Sequence, residues 1–357
     1  MGIFVSILVL SVLIIFHEFG HFIAARYFGV RVEEFGLGMP LIINKPWFKK
    51  KFGDTTYSFY PMLLGGFVRM KGQDDFDPTQ SSLDNDSYQA KKPWQKIIIL
   101  LAGPFANLLL AFLLYIAIAY LGAEKVAPKI GHISPDFPAA IAGVEINDTI
   151  RTINGIDITT WDDLSDIIKN SEGALNITIE RENQLKSFTI LPKLSKTKNI
   201  FGETISKKLV GIAPAREFVT LQFHSPTEVL KYAWEETVSA TDLIVKSLQK
   251  LISGIIPADQ MGGIVSIVQV TSQATAIGLT TLFALAALIS VNLGVLNLLP
   301  IPALDGGHII FNLYEIIFRR APSEKVFYAL TVFGWVFLLS LMAFTTFNDI
   351  SRIIAAD

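Results

Sequence analysis

The chain has 357 residues, 51% of them hydrophobic and 17% charged, and a net charge of −2; its mean hydropathy is +0.46. Soluble domains are about a quarter charged, so membrane spans are the first expectation, and the near-neutral balance leaves no basic field for nucleic acid. Cysteine is absent, which excludes disulfides, thiol catalysis, iron–sulfur clusters and cysteine-ligated zinc, so a metal site must use His, Asp or Glu.

Four apolar stretches predict spanning helices, each long enough at the helical rise to cover about 30 Å of hydrocarbon. The first covers 3–25. It lacks the positive n-region and the small-residue cleavage site of a signal peptide, and its second half carries His and Glu, so it reads as a retained helix. A basic, β-rich region follows at 26–96. Within it, TTYSFYPMLLGGFVRMK at 55–71 is apolar and broken by Gly65-Gly66. That pattern predicts a hairpin, either dipping into the membrane or lying in the cytoplasm. The densest polar loop is 72–87. The second span is 97–121.

Residues 122–195 alternate short strands and turns with one helix, and Asn154-Gly155 marks a tight turn. PAAIAGVEINDTIRTINGIDI in this stretch is very similar to the core of bacterial, permuted PDZ domains, which implies a groove that takes an extended peptide by strand addition. A linker with an amphipathic helix at 226–252 fills 196–276. Val229, Trp234, Val238, Leu248 and Leu251 recur there at helical spacing, a packing face expected on the outer membrane surface. The third and fourth spans are about 277–299 and 326–347. The expected fold is thus an α-helical polytopic membrane protein with a membrane-associated β-hairpin or sheet and one inserted α+β PDZ domain. Residues 1–121 and 277–357 form the two halves of its membrane core.

Basic residues run from Arg26 through Lys49–Lys51 to Lys96, and Arg319, Arg320 and Lys325 sit between the last two spans. By the positive-inside rule, 26–96 and 301–325 are cytoplasmic, and both termini and 122–276 lie on the far side.

His17-Glu18-Phe19-Gly20-His21 is HExxH on a helix. Spacing of i, i+4 puts both imidazoles on one face, able to share a zinc ion, with Glu18 beside them as general base. Such groups inside a span cost several kcal/mol unless partnered, so they are functional candidates by default. A third protein ligand is needed. Asp305 is the strongest candidate, just after the third span and at a depth that matches His17 and His21. Pro300 and Pro302 break the helix before it, and Gly306 and Gly307 give backbone freedom after it. The alternative is Asp305 as an interfacial helix cap. His308 fits a helix-start or supporting role better than ligation, and His132 and His224 read as surface or structural residues. Asn297 is a candidate for substrate positioning or oxyanion contact, or else a helix–helix hydrogen bond. Asn107 faces the site or packs.

HEFGH in the first span, a PDZ-like insert between the second and third, and NLLPIPALDGG at 297–307 closely resemble the site-2 intramembrane zinc proteases. LAGPFANLLLAFLL at 101–114 and FNDISRI at 347–353 resemble its bacterial regulator-of-sigma branch. Enterobacterial members have two tandem PDZ domains, whereas this chain has room for one. The resemblance implies zinc held by His17, His21 and Asp305, Glu18 as base, and a membrane-associated β element. That element, with Gly65 and Gly66, would hold substrate extended. It also implies a bacterial cytoplasmic-membrane enzyme whose active site lies near the cytoplasmic side. Its substrates would be single-span proteins trimmed by an earlier protease, such as anti-sigma factors or remnant signal peptides. The competing classes are a zinc transporter and a non-catalytic PDZ scaffold. Transport needs no base beside the ligands and needs an exit site for which the sequence offers no second His/Asp cluster.

Overall fold

The computed structural model describes residues 2–38, 45–61, 65–73 and 84–356. Residues 62–64 of the expected hairpin and 74–83 of the polar loop lie outside the described residues. The chain divides into two compact units. One comprises Met1–Ile118, Val229–Gln249 and Pro257–Asp357, and the other Ala119–Glu228 and Lys250–Ile256.

In the first unit, α1 (Gly2–Tyr27), α2 (Pro93–Leu121), α7 (Leu279–Asn297) and α9 (Glu324–Ala356) are the long apolar helices. Each has a segment long and apolar enough to cross a membrane. Only 17% of that segment is buried in α1 and 11% in α9. Side chains such as Phe4, Leu8, Phe333 and Leu339 face outward. Apolar surface on this scale needs an apolar solvent, which a bilayer supplies. The last helix runs well past the expected end at residue 347.

Between α1 and α2 lie β1 (Val32–Leu37), β2 (Phe48–Phe52), β3 (Thr55–Phe59) and β4 (Gly66–Met70). Their order in the sheet is β2-β3-β1-β4. β1 is parallel to β3 and antiparallel to β4. The segment 55–71 is therefore not one hairpin, because β1 sits between its two strands. The hairpin of this sheet is β2–β3, turning at Gly53-Asp54. Among the described residues, β4 is an edge strand with one side unpaired by the sheet. Ala25, Val30, Val32, Met70 and Ile99 pack together and tie the end of α1 to the sheet and to α2. Glu34 on β1 is buried and accepts hydrogen bonds from Ser58 Oγ (2.6 Å), Tyr60 Oη (3.1 Å) and Arg69 Nη1 (3.2 Å). Burial, and then the Glu34 carboxylate, push the Tyr60 hydroxyl pKa up from its ordinary value.

The second unit contains β5 (Glu124–Val126), β6 (Ile130–Ile133), α3 (Pro138–Ala142), β7 (Thr149–Ile153), β8 (Ile156–Asp157), α4 (Trp161–Asn170), β9 (Leu175–Arg181) and β10 (Gln184–Ile190). β11 (Lys193–Lys198), β12 (Thr204–Leu209), β13 (Ile212–Pro214) and β14 (Phe218–Thr220) complete it. Its main sheet has the order β10-β9-β7-β8; β6 pairs with β13, and β5 with β14. Asn154 and Gly155 turn β7 into β8 with φ of 50° and 79°, the left-handed pair that tight hairpins require. Thr160 caps α4 reciprocally with Asp163. Ile130, Ile150, Ile153, Leu164, Ile177 and Ile179 form the core.

α5 (Pro226–Ile252) follows, then α6 (Ile264–Ile277). The buried stripe of α5 is Val229, Ala233, Thr237 and Ala240, whereas Trp234 and Val238 are exposed. Val229 is common to the expected and the buried stripe, and the small residues Ala233 and Ala240 let a neighbouring helix approach closely. α6 is apolar but only 14 residues long, too short to span. It packs on α1, α7 and α9. Fully formed at α6's start is a buried cap: Asp349 of α9 accepts from the Gly263 N–H (3.0 Å), the Ser266 N–H (2.9 Å) and Ser266 Oγ (2.5 Å). The remaining helix, α8 (Asp305–Phe318), lies between α7 and α9 in sequence.

Candidate metal centre

α1 carries the first two groups. One helical turn separates His17 and His21, and their rings meet edge to face with centroids 4.8 Å apart. His21 is buried, and its Nδ1–H donates to the Ile99 carbonyl on α2 at 2.8 Å. That bond puts the ring's proton on Nδ1 and leaves a lone pair on Nε2. Pro104 lacks an N–H and removes one rung of the α2 ladder, at the Leu100 carbonyl, next to the carbonyl that His21 uses.

The glycines at this crossing are there because nothing larger fits. A β-carbon at Gly20 would stand 2.2 Å from the Ala102 carbonyl oxygen, and one at Gly103 would stand 2.3 Å from His21 Nε2. Small residues on both helices let the backbones approach and seat the imidazoles against α2. Sequence reading singled out neither Gly103 nor the Ile99 carbonyl. The small-residue run Ala102-Gly103 opposite Gly20 was the available signal.

Asp305 comes from the other half of the chain. α7 stops at Asn297, Pro300 and Pro302 prevent its continuation, and α8 begins at Asp305. A carboxylate in a first helical turn is favoured by the unpaired N–H groups there. Gly306 and Gly307 do not supply backbone freedom, since both lie in α8 and neither has a positive φ. They allow close approach: β-carbons there would lie 2.2 Å from the Leu299 carbonyl oxygen and 2.3 Å from that of Ile301. The start of α8, and Asp305 with it, is pressed against the 298–302 turn.

The three groups converge. His17 Nε2 is 3.2 Å from His21 Nε2 and 3.2 Å from Asp305 Oδ2, and His21 Nε2 is 3.5 Å from Asp305 Oδ2. Asp305 Oδ2 is buried and accepts no hydrogen bond despite this proximity. The two imidazole nitrogens stand at hydrogen-bond distance from each other, and the carboxylate oxygen beside them is left without a bond, an arrangement that groups all three atoms around a common centre. Donors each about 2.0–2.1 Å from one tetrahedral ion stand about 3.3–3.4 Å apart. The observed edges match that spacing, and two imidazoles plus a carboxylate are a donor set that suits zinc with a fourth position open. Among the described residues this is the one group of three or more His, Cys, Asp or Glu so gathered.

A cavity of about 440 Å³ surrounds the centre, lined by Glu18, Gly65, Gly66, Asn107, Asn297 and Trp335 as well as the three ligand candidates. Every site residue expected from the sequence thus borders one space. β4 reaches it because Gly66 has no side chain: a β-carbon there would stand 2.8 Å from Ile14 Cγ2 and 3.2 Å from Glu18 Cγ. Asn107 is fully buried, with its Nδ2 3.2 Å from His17 Nδ1. His308 is not in the cavity lining and packs its ring against Phe311 and Phe327.

The sequence profile described as Peptidase family M50 matches residues 5–341. A Campylobacter jejuni protein assigned as a zinc metalloprotease is 48% identical over 349 residues, covering 98% of this chain and 93% of that protein. A Helicobacter pylori protein with the same assignment is 36% identical over 355 residues, covering 98% and 99%. The Bacillus subtilis regulator of sigma-W protease RasP is 28% identical over 432 residues, covering 97% of each.

Proposed function

The chain belongs to peptidase family M50 and is a zinc metalloprotease of the site-2 type; on that premise we propose that it hydrolyses peptide bonds within or beside the transmembrane segments of single-span proteins. The observation that carries this reading is the convergence of His17, His21 and Asp305 on one centre, bordered by Glu18 and the edge strand β4.

In this reading His17, His21 and Asp305 hold the zinc. Zinc bound there supplies a Lewis acid that polarises a carbonyl and lowers the pKa of a water. Glu18 takes the proton of the attacking water and passes it to the amine nitrogen as the C–N bond breaks. A helical substrate hides its carbonyls in i to i−4 bonds, so it must be unwound before attack. β4 offers its open edge for strand addition and holds the segment extended over Glu18, with Gly65 and Gly66 letting it pass close. Asn297, at the end of α7, positions the scissile carbonyl.

The charge bias puts 26–96 and 301–325 on the cytoplasmic side of a bacterial inner membrane, and 122–276 with both termini on the other. The core of the second unit is a PDZ domain that docks or filters trimmed substrate ends. Substrates are proteins already shortened by an earlier protease, anti-sigma factors or remnant signal peptides among them. Transport and scaffold readings explain neither a base beside the ligands nor an edge strand at the same cavity.

The test is to incubate the purified protein in vesicles with a single-span substrate trimmed on its outer side, and to locate the cut from product masses. A cut in or beside the apolar segment, stopped by a chelator, is expected. Cutting confined to soluble regions, or insensitive to the chelator, would overturn the proposal.

A further inference from the structure

His17 is the one ligand candidate whose second ring nitrogen meets a side chain rather than a backbone carbonyl. Its Nε2 points at Asp305 Oδ2 and His21 Nε2. Its Nδ1 lies 3.2 Å from the amide of Asn107, on α2. For Nε2 to offer a lone pair to a metal, a neutral imidazole must carry its proton on Nδ1. A proton on Nδ1 needs an acceptor, and the amide atom nearest to it is Nδ2, itself a donor.

Turning the amide by half a rotation exchanges its nitrogen and oxygen, a donor for an acceptor of nearly the same size. Asn107 Oδ1 then sits where Nδ2 was and accepts from Nδ1–H. The turn exchanges the Nδ2–Nδ1 contact for an Oδ1–Nδ1 one and breaks no second bond, because Oδ1 in the other orientation is buried without a partner. The residue is well seated for the task. It is fully buried, Ser290 Oγ on α7 donates to its backbone carbonyl at 2.8 Å, and a β-carbon at Gly294 on α7 would already stand 3.5 Å from its Cβ.

We infer that Asn107 is the positioning residue of His17: its amide oxygen accepts Nδ1–H, which orients the ring and reserves Nε2 for the metal. The inference rests on the proposed metal site. It assigns the two histidines matching supports from one helix, a backbone carbonyl (Ile99) for His21 and a side-chain carbonyl for His17. Removal of such supports weakens metal binding about ten- to a hundredfold in other zinc sites.

The experiment measures zinc affinity of the full-length, detergent-purified protein by competition with a chromophoric chelator. Asn107→Asp keeps an acceptor and loses the donor, so it should bind within a few-fold of the wild type or tighter. Asn107→Leu loses both and should bind about ten- to a hundredfold more weakly. Wild-type affinity in Asn107→Leu overturns the inference. So does equal weakening in both variants, which is the outcome if the amide donates or merely packs. A measurement without substitutions stands beside these: in the zinc-loaded wild type, long-range ¹⁵N–¹H spectra should show a His17 Nδ1 proton protected from exchange, and rapid exchange with water would overturn the assignment. His17→Ala separates the premise from the inference, because zinc bound there as tightly as in the wild type would refute the metal site itself.

Discussion

Gly103 stands so close to His21 that a β-carbon on it would lie 2.3 Å from the imidazole Nε2 and 2.9 Å from Cε1 of His17. Even a methyl group cannot enter without moving the histidines or the helix that carries it. Gly103→Ala is expected to weaken zinc binding by at least about tenfold and to lower activity in proportion, while the protein still folds. Zinc per protein after dialysis against a weak chelator checks this, and full occupancy with unchanged activity would contradict it.

In the proposed mechanism Gly66 makes the corresponding contact on the substrate side, where β4 passes Ile14 and Glu18. A side chain there displaces the strand or the base, not the ligands. Gly66→Val should therefore retain zinc and lose about ten- to a hundredfold in kcat/KM, the scale of an ångström-level misplacement. Parallel zinc and cleavage measurements separate this from a ligand defect. Loss of zinc in the variant would argue that β4 supports the centre rather than the substrate.

Metal binding at the proposed centre would also join two distant parts of the chain, α1 and the start of α8, whose side chains meet there. Zinc should stabilise the folded protein by about 4 kcal/mol at a thousandfold excess over its dissociation constant. The melting temperature of chelator-treated protein should rise on zinc addition in the wild type and stay flat in Asp305→Ala. An equal rise in Asp305→Ala would place the stabilising ion elsewhere.

Asp349 fastens α9 to the N-terminus of α6 through two N–H groups and a hydroxyl while only 2% exposed. Asp349→Ala strands those donors and should cost on the order of 2–3 kcal/mol. Thermal melting in detergent tests it, and an unchanged midpoint would mean that water or another group replaces the carboxylate.

Much of the candidate site was legible because its chemistry has a period. Four-residue spacing puts His17 and His21 on one face of a helix, and Pro300 and Pro302 announce that the chain breaks before Asp305. The supports were not legible. The Ile99 carbonyl has no side-chain signature, and Gly103, Gly306 and Gly307 matter through neighbours that only the packing supplies. In the fold, long apolar runs marked the four spans, since a bilayer demands length. α6 escaped notice because 14 apolar residues satisfy no such length rule. Adjacency in sequence suggests one hairpin over 55–71 and says nothing of β1, an earlier strand that pairs between β3 and β4. In α5 the expected stripe divides: Val229 is buried, whereas Trp234 and Val238 are exposed, as an apolar face can turn to lipid as readily as to protein.

The most direct test of the account is to measure zinc content and substrate cleavage on the same preparations of wild type and Glu18→Gln. The account predicts one zinc per chain in both, with cleavage in the wild type alone, because Glu18 borders the centre as a base and not as a ligand. Cleavage by Glu18→Gln at the wild-type rate would contradict it.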